Sequence, residues 1–376
     1  MKRPCIMIMA GGTGGHVFPA LSLAGELQAA GCAIVWLGTR AGIEARLVPP
    51  TGVPIEWLEI GGLRGKDFRT LLLAPLRLVR AVVQAMAAMR RHQPRAVVGL
   101  GGYVTGPGGL AAWLTGRPLV IHEQNAIAGL TNRVLARFAS CVLEAFPGSF
   151  RGRRRRGILT VGNPVRSEFF ALPAPAQRAA APDGALRVLV VGGSQGAQAL
   201  NRVLPAAVAA LKGRAALRVL HQSGTRMLES TRAAYAAQGV VAAVEAFIDD
   251  MPRAYAAADL VICRAGALTI SELAAAGMAA ILVPFPAAVD DHQTCNAGFL
   301  VERGAAVLIA ERELTAAGLA KELLQLADDR PRLAEMAARA RGLASPAATR
   351  RVTEACLAAA GLPVASPDHA FPGGRT

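Results

Sequence analysis

Twice along this 376-residue chain a continuous apolar run passes into a cluster of glycines and then into helix-like spacing: at "CIMIMAGGTGGHVFPALSLAGEL" (5–27) and at "LRVLVVGGSQGAQALN" (186–201). A strand that is apolar at every position has both faces covered, as in a parallel sheet with helices packed above and below. A glycine turn leading from such a strand into a helix is the opening unit of a doubly wound domain. Two openings this far apart predict two domains, and the chain exceeds the roughly 100–200 residues of one ordinary core.

Both openings continue in the same rhythm. "AIVWLGT", "AVVGLGGY", "PLVIHEQN" and "CVLEAF" follow the first, and "LRVLHQSG", "VVAAVEAFID", "DLVICRAG" and "AAILVPFP" the second, each separated by helical spacing. The fold class predicted is α/β, with two Rossmann-like doubly wound parallel-sheet domains. The Pro- and Ala-rich stretch 160–184 sets the boundary, giving domains at 1–163 and 164–344. A helix at 345–361 either caps the second domain or crosses back to the first. Residues 362–376 have turn formers and no apolar face, and read as a disordered tail.

Glycine after a strand lets the backbone approach a phosphate, and the helix behind it offers free N–H groups. A dinucleotide loop needs G-x-G-x-x-G and an acid about 20 residues on. In "GGTGGHV" the frame of Gly12 and Gly14 would need a glycine at Val17, and the second strand ends at Thr39 and Arg40 instead of an acid. Neither loop supplies the G-K-[ST] of a P-loop.

The longest uncharged stretches, 99–116 and 273–289, are broken by Gly or Pro, so no membrane-spanning helix is expected. The N-terminus lacks the features of a secretory signal, so the chain is expected in the cytoplasm. The six cysteines show no C-x-x-C and no zinc spacing, and predict neither disulfides nor a structural metal. A net charge of +15 favours an anionic partner: nucleic acid, phosphate or a lipid surface. No aromatic stacking platform accompanies the basic runs, which argues against nucleic acid.

In the second half, "CRAGALTISELAAAG" (263–277) runs from a strand end through Arg264 into a helix carrying Thr269 and Glu272 in its first turn. Thr269-x-x-Glu272 fits a capping box. Equally, Glu272 at the carboxyl edge of a parallel strand can grip a ribose diol, with Arg264 facing diphosphate. In "VPFPAAVDDHQTCNAGFL" (283–300), Asp290 and Asp291 suit a solvated loop and cap, while the Gln293 amide suits sugar hydroxyls.

At this point the ordered motifs "GGTGGHVFPAL", "WLGT", "GLRGK", "GGYVTGPGGLAAW", "HEQNAIAGLTNR", "VGNPVR", "VVGGSQGAQALN", "AFIDDM" and "CRAGALTISE" resemble the MurG-type N-acetylglucosaminyltransferases of peptidoglycan synthesis. The likeness runs from residue 5 to about 300 and more weakly to about 360. It implies a GT-B glycosyltransferase whose two domains face a cleft. The implied reaction is inverting transfer of GlcNAc from UDP-GlcNAc to lipid I, undecaprenyl-diphospho-MurNAc-pentapeptide, giving lipid II and UDP. The C-terminal domain would hold the nucleotide sugar, and the N-terminal domain the acceptor and the anionic inner-membrane surface, with protein partners in cell-wall synthesis complexes. The implied location is peripheral, on the cytoplasmic side of the cell membrane.

The resemblance also assigns residues. Thr13, Gly14 and Gly15 close over sugar and diphosphate, and Asn125 reaches the sugar. Arg166 lies at the hinge, and Ser194 takes phosphate. Ile248 meets uracil through its backbone. Ala267, Leu268, Thr269, Ile270, Ser271 and Glu272 hold diphosphate and ribose, and Gln293 touches GlcNAc. Some relatives carry two glutamines where this chain reads His292-Gln293.

Inverting transfer needs a base for the acceptor hydroxyl and a means of absorbing charge on departing UDP. The sequence has no D-x-D, so no metal cofactor is expected, and helix N-termini with Ser194 and Arg264 would take that role. His16, at the helix start after the first loop, is the leading base, although it would equally hold phosphate or cap the helix. Glu123, ending "LVIHE", is the second. A UDP-GlcNAc 2-epimerase, sharing fold and donor, is the rival enzyme.

Along "DFRTLLLAPLRLVRAVVQAMAAMRR" (67–91), Leu72, Leu76, Val79, Val83 and Met86 form a helical stripe accompanied by arginines, among them Arg69. An ordinary core-facing helix explains the stripe. A shallow membrane contact, with Pro75 interrupting the first turns, Trp113 joining and "FRGRRRRG" (150–157) adding charge, explains both stripe and arginines.

Overall fold

The structure, a computed structural model, describes residues 3–61, 74–150, 157–178, 181–193, 196–288 and 291–364. Ser194, the "GLRGK" motif, Arg69, Leu72, Asp290, the arginine run 151–156 and the tail after residue 364 lie outside them. The chain forms two compact units, one of residues 1–166 with 345–376 and one of residues 167–344.

The first unit carries a parallel sheet of β1 (Cys5–Ala10), β2 (Ala33–Gly38), β3 (Ile55–Trp57), β4 (Ala96–Gly101), β5 (Leu119–Glu123), β6 (Cys141–Glu144) and β7 (Ile158–Thr160), in the order 3-2-1-4-5-6-7. Its helices are α1 (Gly14–Ala29), α2 (Glu44–Leu47), α3 (Ala74–His92), α4 (Thr105–Leu114) and α5 (Leu130–Leu135). Strand alternation splits β1 between two layers. Ile6, Ile8 and Ala10 pack with Val17, Leu23 and Leu27 of α1, whereas Met7 and Met9 pack with Ala85 and Met89 of α3 and Ala111 of α4. That is why β1 is apolar at every position: both faces are core.

The helix Ala348–Ala359 lies on α1 and reaches β4, β5 and β6, with Val352, Ala355 and Cys356 in the same layer as Ile6 and Ile8. The far end of the chain therefore completes the first unit's core. Each large apolar side chain it buries contributes about 1.5–3 kcal/mol.

The second unit holds β8 (Leu186–Val191), β9 (Leu217–Gln222), β10 (Ala243–Glu245), β11 (Leu260–Cys263), β12 (Ala279–Leu282) and β13 (Ala306–Leu308), parallel in the order 10-9-8-11-12-13. Among its helices are α6 (Ser167–Phe170), α7 (Gln198–Ala209), α8 (Leu228–Ala237), α9 (Met251–Ala256), α10 (Ala267–Ala276) and α11 (His292–Val301). Leu186, Val188 and Val190 of β8 pack with Leu200 and Leu204 of α7.

In each sheet the winding direction reverses once, between β1 and β4 and between β8 and β11. Crevices at the carboxyl ends of strands beside such a reversal are the ligand positions of open α/β sheets. "GGTGGH" follows β1 and "GGY" ends β4; "GGSQG" follows β8 and "RAGAL" follows β11. These four glycine motifs thus lie at the switch points of their own units.

Candidate functional site

In the first unit the loop after β1 is held from behind by a carboxylate. Glu44, fully buried at the start of α2, accepts from the Gly12 amide at 2.9 Å through Oε2, and from the Thr39 amide at 2.8 Å and hydroxyl at 2.7 Å through Oε1. The loop ending β4 presses on it from the side. Gly102 has φ +85°, and a Cβ there would stand 2.3 Å from the Gly11 carbonyl oxygen. At Gly101, φ +110°, a Cβ would stand 2.5 Å from His16 Nδ1. Only glycine allows this approach, which makes the β4 backbone the floor under the His16 ring.

His16 is half-buried in the first turn of α1, and its Nδ1 lies 3.0 Å from Gln124 Oε1. Gln124 Nε2 lies 3.0 Å from both His122 Nδ1 and the His122 carbonyl oxygen, and His122 Nε2 lies 2.9 Å from the Gly162 carbonyl oxygen. Asn163 Nδ2 donates to the Gln124 carbonyl oxygen at 3.1 Å. Burial lowers the His122 pKa to about 4, so its ring is neutral near pH 7.

Glu123, the second expected base, is a loop anchor instead. It is buried, and its two oxygens accept from the Asn125 amide (2.9 Å), Asn125 Nδ2 (3.2 Å), the Gly129 amide (3.1 Å) and Asn132 Nδ2 (2.8 Å). A carboxylate with four donors has no lone pair directed at a substrate; what it does is orient Asn125. Arg166 sets its guanidinium over the Phe18 ring of α1, 5.7 Å from the centroid. Thr13 is the exposed N-cap of α1 and makes no side-chain capping bond.

In the second unit the helix after β11 begins at Ala267, with Gly266 as an extended N-cap that provides no side chain and no acid in the first turn. Thr269 is therefore the third residue of the helix and not its cap, and the capping-box reading of Thr269 and Glu272 fails. Glu272 falls in the second turn, near the end of β11, where burial and then the Glu272 charge raise the Cys263 thiol pKa to about 12.

Three further expectations change. Arg264 does not present its cation to a diphosphate: it pairs with Glu311, donates to the Val283 carbonyl at 3.1 Å and the Pro284 carbonyl at 3.3 Å, and lies over Phe285. Ile270 is fully buried and its amide bonds the Gly266 carbonyl, so neither is available to a ligand. Ser271 donates its hydroxyl to the Ala267 carbonyl at 3.0 Å. Ala267 is buried, while Leu268 and Thr269 are half-buried. Gln293, in the first turn of α11, accepts from the Phe285 amide at 2.8 Å through Oε1. Ile248 is buried, which leaves its backbone as the part that can meet a ligand.

Sequence reading passed over Glu44, His122 and Gln124. Glu44 bonds Thr39 five residues before it, but its part in the site comes from Gly12, 32 residues away. The other two had one: alternation along "HEQ" puts His122 and Gln124 on one side of the chain and Glu123 on the other. Among the described residues no group of three or more His, Cys, Asp or Glu side chains is arranged to hold a metal.

On α3 the core side consists of Ala81, Val82, Ala85, Ala88 and Met89. The apolar stripe lies elsewhere: Leu76, Val79 and Val83 are 67%, 59% and 59% exposed, which excludes an ordinary core-facing role for them. Pro75 is the second described residue of the helix, and the turns before it lie outside the described residues. Beyond α3, Trp113 and Leu114 of α4 and Leu130, Val134 and Phe138 on and after α5 are also exposed, Trp113 and Phe138 with ring centroids 5.1 Å apart. No helix among the described residues is long and apolar enough to cross a membrane.

Residues 6–144 match the glycosyltransferase family 28 N-terminal domain and residues 187–352 its C-terminal domain. The chain is 55% identical, over 93% of its length and 97% of the relative's, to the UDP-N-acetylglucosamine–N-acetylmuramyl-(pentapeptide) pyrophosphoryl-undecaprenol N-acetylglucosamine transferase of Cupriavidus necator. It is similar to the crystal structure of Acinetobacter baumannii MurG, with TM-score 0.80 and 43% identity, covering 94% of this chain and 99% of that one. A UDP-N-acetylglucosamine 2-epimerase structure at 16% identity and TM-score 0.67, covering 98% of this chain and all of that one, shares the fold alone.

Proposed function

The chain belongs to glycosyltransferase family 28, and from that premise we propose that it transfers GlcNAc from UDP-GlcNAc to the 4-hydroxyl of lipid I with inversion, releasing UDP and forming lipid II. The observation that carries this reading is the near-full-length likeness to a transferase named for that donor and acceptor. The 2-epimerase alternative is not favoured, since its likeness extends only to the fold.

The donor belongs to the second unit. The start of α10, with glycine as its N-cap and no acid in its first turn, suits diphosphate. Glu272 suits the ribose diol, and the Ile248 backbone suits uracil. The acceptor belongs to the first unit, where His16 is the base. As the acceptor oxygen bonds to C1 of GlcNAc, its proton passes to His16 Nε2, and the C1–O bond breaks with the electron pair leaving on the diphosphate. In the first unit Thr13, Gly14, Gly15 and Asn125 suit a sugar, and in the second Gln293, its Oε1 taken by the Phe285 amide, suits sugar hydroxyls through Nε2.

A lipid-anchored acceptor requires contact with a membrane surface. The exposed Leu76, Val79, Val83, Trp113 and Phe138, accompanied by Arg77 and Arg80, suit shallow insertion among anionic headgroups. Incubation with UDP-GlcNAc and a short-chain lipid I analogue, with and without chelator, tests the reaction. Disaccharide-bearing lipid and equimolar UDP are expected in both arms. Formation of the 2-epimer without disaccharide would overturn the reading, and loss of product on chelation would overturn its metal-free part.

A further inference from the structure

We propose that Gln124 and His122 form a proton-ordering relay that holds His16 in its Nδ1–H tautomer, so that Nε2 is the unprotonated nitrogen. The distances alone do not say which atoms carry hydrogens, but two backbone carbonyls do. A carbonyl oxygen only accepts, so the Gly162 oxygen at 2.9 Å requires N–H at His122 Nε2. His122 is fully buried and neutral, so its Nδ1 then carries only a lone pair.

That lone pair requires a donor from Gln124. The His122 carbonyl oxygen, 3.0 Å from the same Gln124 nitrogen, requires it independently. Turning the amide over would set its oxygen against the His122 carbonyl and against an imidazole lone pair. The Gln124 amide therefore has one orientation, with Oε1 toward His16 Nδ1 at 3.0 Å. An amide oxygen accepts, so Nδ1 bears the proton. Gln124 is 1% exposed, and the Asn163 side chain fixes its backbone carbonyl, so water does not compete for the amide.

The arrangement works against the ordinary preference of a free imidazole, whose neutral form favours hydrogen on Nε2. It also divides the "HEQN" run into two tasks on the two sides of one strand end. Glu123 shapes the loop, while His122 and Gln124 set the state of a ring that lies more than 100 residues earlier in the chain. Gln124 and His122 touch no reacting atom; they are positioning residues. Their catalytic consequence rests on His16 being the base, whereas the tautomer itself does not.

Two readouts keep those apart. In protein labelled with 15N-histidine, long-range 15N–1H correlation spectra distinguish pyrrole-like from pyridine-like nitrogens, with the His16 signals assigned by their loss in His16→Ala. Wild-type His16 is expected to show a pyrrole-like Nδ1 and a pyridine-like Nε2. In Gln124→Leu the pattern reverts toward Nε2–H, while His122 keeps Nε2–H because Gly162 is untouched, which also reports that the unit is folded. An Nε2–H tautomer for His16 in the wild type, or a pattern unchanged in Gln124→Leu, overturns the relay whatever the enzyme's activity.

In the transfer assay Gln124→Leu is expected to lower kcat about 10-fold or more, as a misoriented base tautomer does, with the KM for UDP-GlcNAc little altered. A tautomer change with kcat intact would leave the relay standing and remove His16 from the role of base.

Discussion

Two strand–glycine–helix connections, the one after β1 and the one after β11, are supported in opposite ways. The loop after β1 has a buried carboxylate behind it: Glu44 takes the Gly12 amide and places negative charge where an approaching phosphate would meet it. The helix after β11 has no acid in its first turn and a glycine, Gly266, as its N-cap. A carboxylate bonded to one loop and no acid in the first turn after the other would sort their ligands. The first loop suits a neutral hydroxyl and a base, and the second suits a diphosphate. If the two connections serve two chemistries as proposed, Glu44, which lies outside the first loop, makes the difference.

The largest effect that would sharpen this contrast lies in the first unit. His16→Ala is expected to lower kcat by about 100-fold to 10,000-fold, the usual contribution of a general base, with UDP-GlcNAc binding nearly unchanged. Wild-type kcat with raised donor KM would show that the first loop handles phosphate after all, and the contrast would collapse.

Glu44→Ala and Glu272→Ala form the next pair. The first strips three donors, the Gly12 amide and the Thr39 amide and hydroxyl, of their buried partner. At about 1–3 kcal/mol for each unsatisfied group, stability is expected to fall by roughly 3 kcal/mol or more, read as the urea midpoint. The second leaves folding nearly unchanged and weakens UDP binding by about 10-fold or more, the scale of a charged hydrogen bond, read by calorimetry. If Glu44→Ala instead improved binding of free phosphate without loss of stability, Glu44 would be a selectivity filter and not a clamp.

How much of this was visible in the sequence depends on where the causes lie. Both sheets were legible because β1 throughout and β8 from Val188 to Val191 are apolar on consecutive positions, a pattern that burial on two faces imposes. Three of the four edge strands were not: β3, β7 and β13 have three residues each, too few for any period to emerge, whereas β10, equally short, was marked by the apolar run leading into it. The glycine loops and His16 were legible because local geometry demands glycine and a helix start. Arg264 was misread because a cation beside a glycine turn suits phosphate as well as it suits Glu311, and the choice is made by a partner 47 positions along the sequence. Glu123 was chosen over its neighbours because a carboxylate at a strand end looks like a base; which side of the strand faces His16 is a tertiary fact.

Each unit also buries one neutral histidine, His122 and His221, both with pKa lowered to about 4 by burial. Because the folded value lies below the unfolded one, near 6.5, the unfolded chain binds protons more readily. Stability is therefore full above pH 6.5 and lost as pH falls toward 4. Between pH 7 and pH 5 the expected loss is about 2 kcal/mol per histidine. The three tryptophans, Trp36, Trp57 and Trp113, all lie in the first unit, so their fluorescence follows His122 and not His221. In His122→Gln the acid slope of the tryptophan transition is expected to vanish while that of the second unit persists. A slope unchanged in His122→Gln would show that other groups control the acid response.

The smallest effect concerns the surfaces. Exposed large apolar side chains cluster on α3, α4 and α5 of the first unit, whereas those of the second, Val241, Phe247 and Phe285, lie on three different connections. If only the first unit meets the membrane, cations beside its apolar face contribute and those elsewhere do not. Arg77→Ala is expected to weaken binding to anionic vesicles by about 1 kcal/mol, near five-fold, in a sedimentation assay at low salt. Arg80, which pairs with Glu59 at 2.7 Å, contributes less, because the lipid must compete with that carboxylate. Arg218→Ala in the second unit, a cation of similar exposure paired with Asp183, changes nothing. Equal losses from Arg77 and Arg218 would mean that the +15 net charge acts as a whole and that the apolar face of the first unit has no special part in docking.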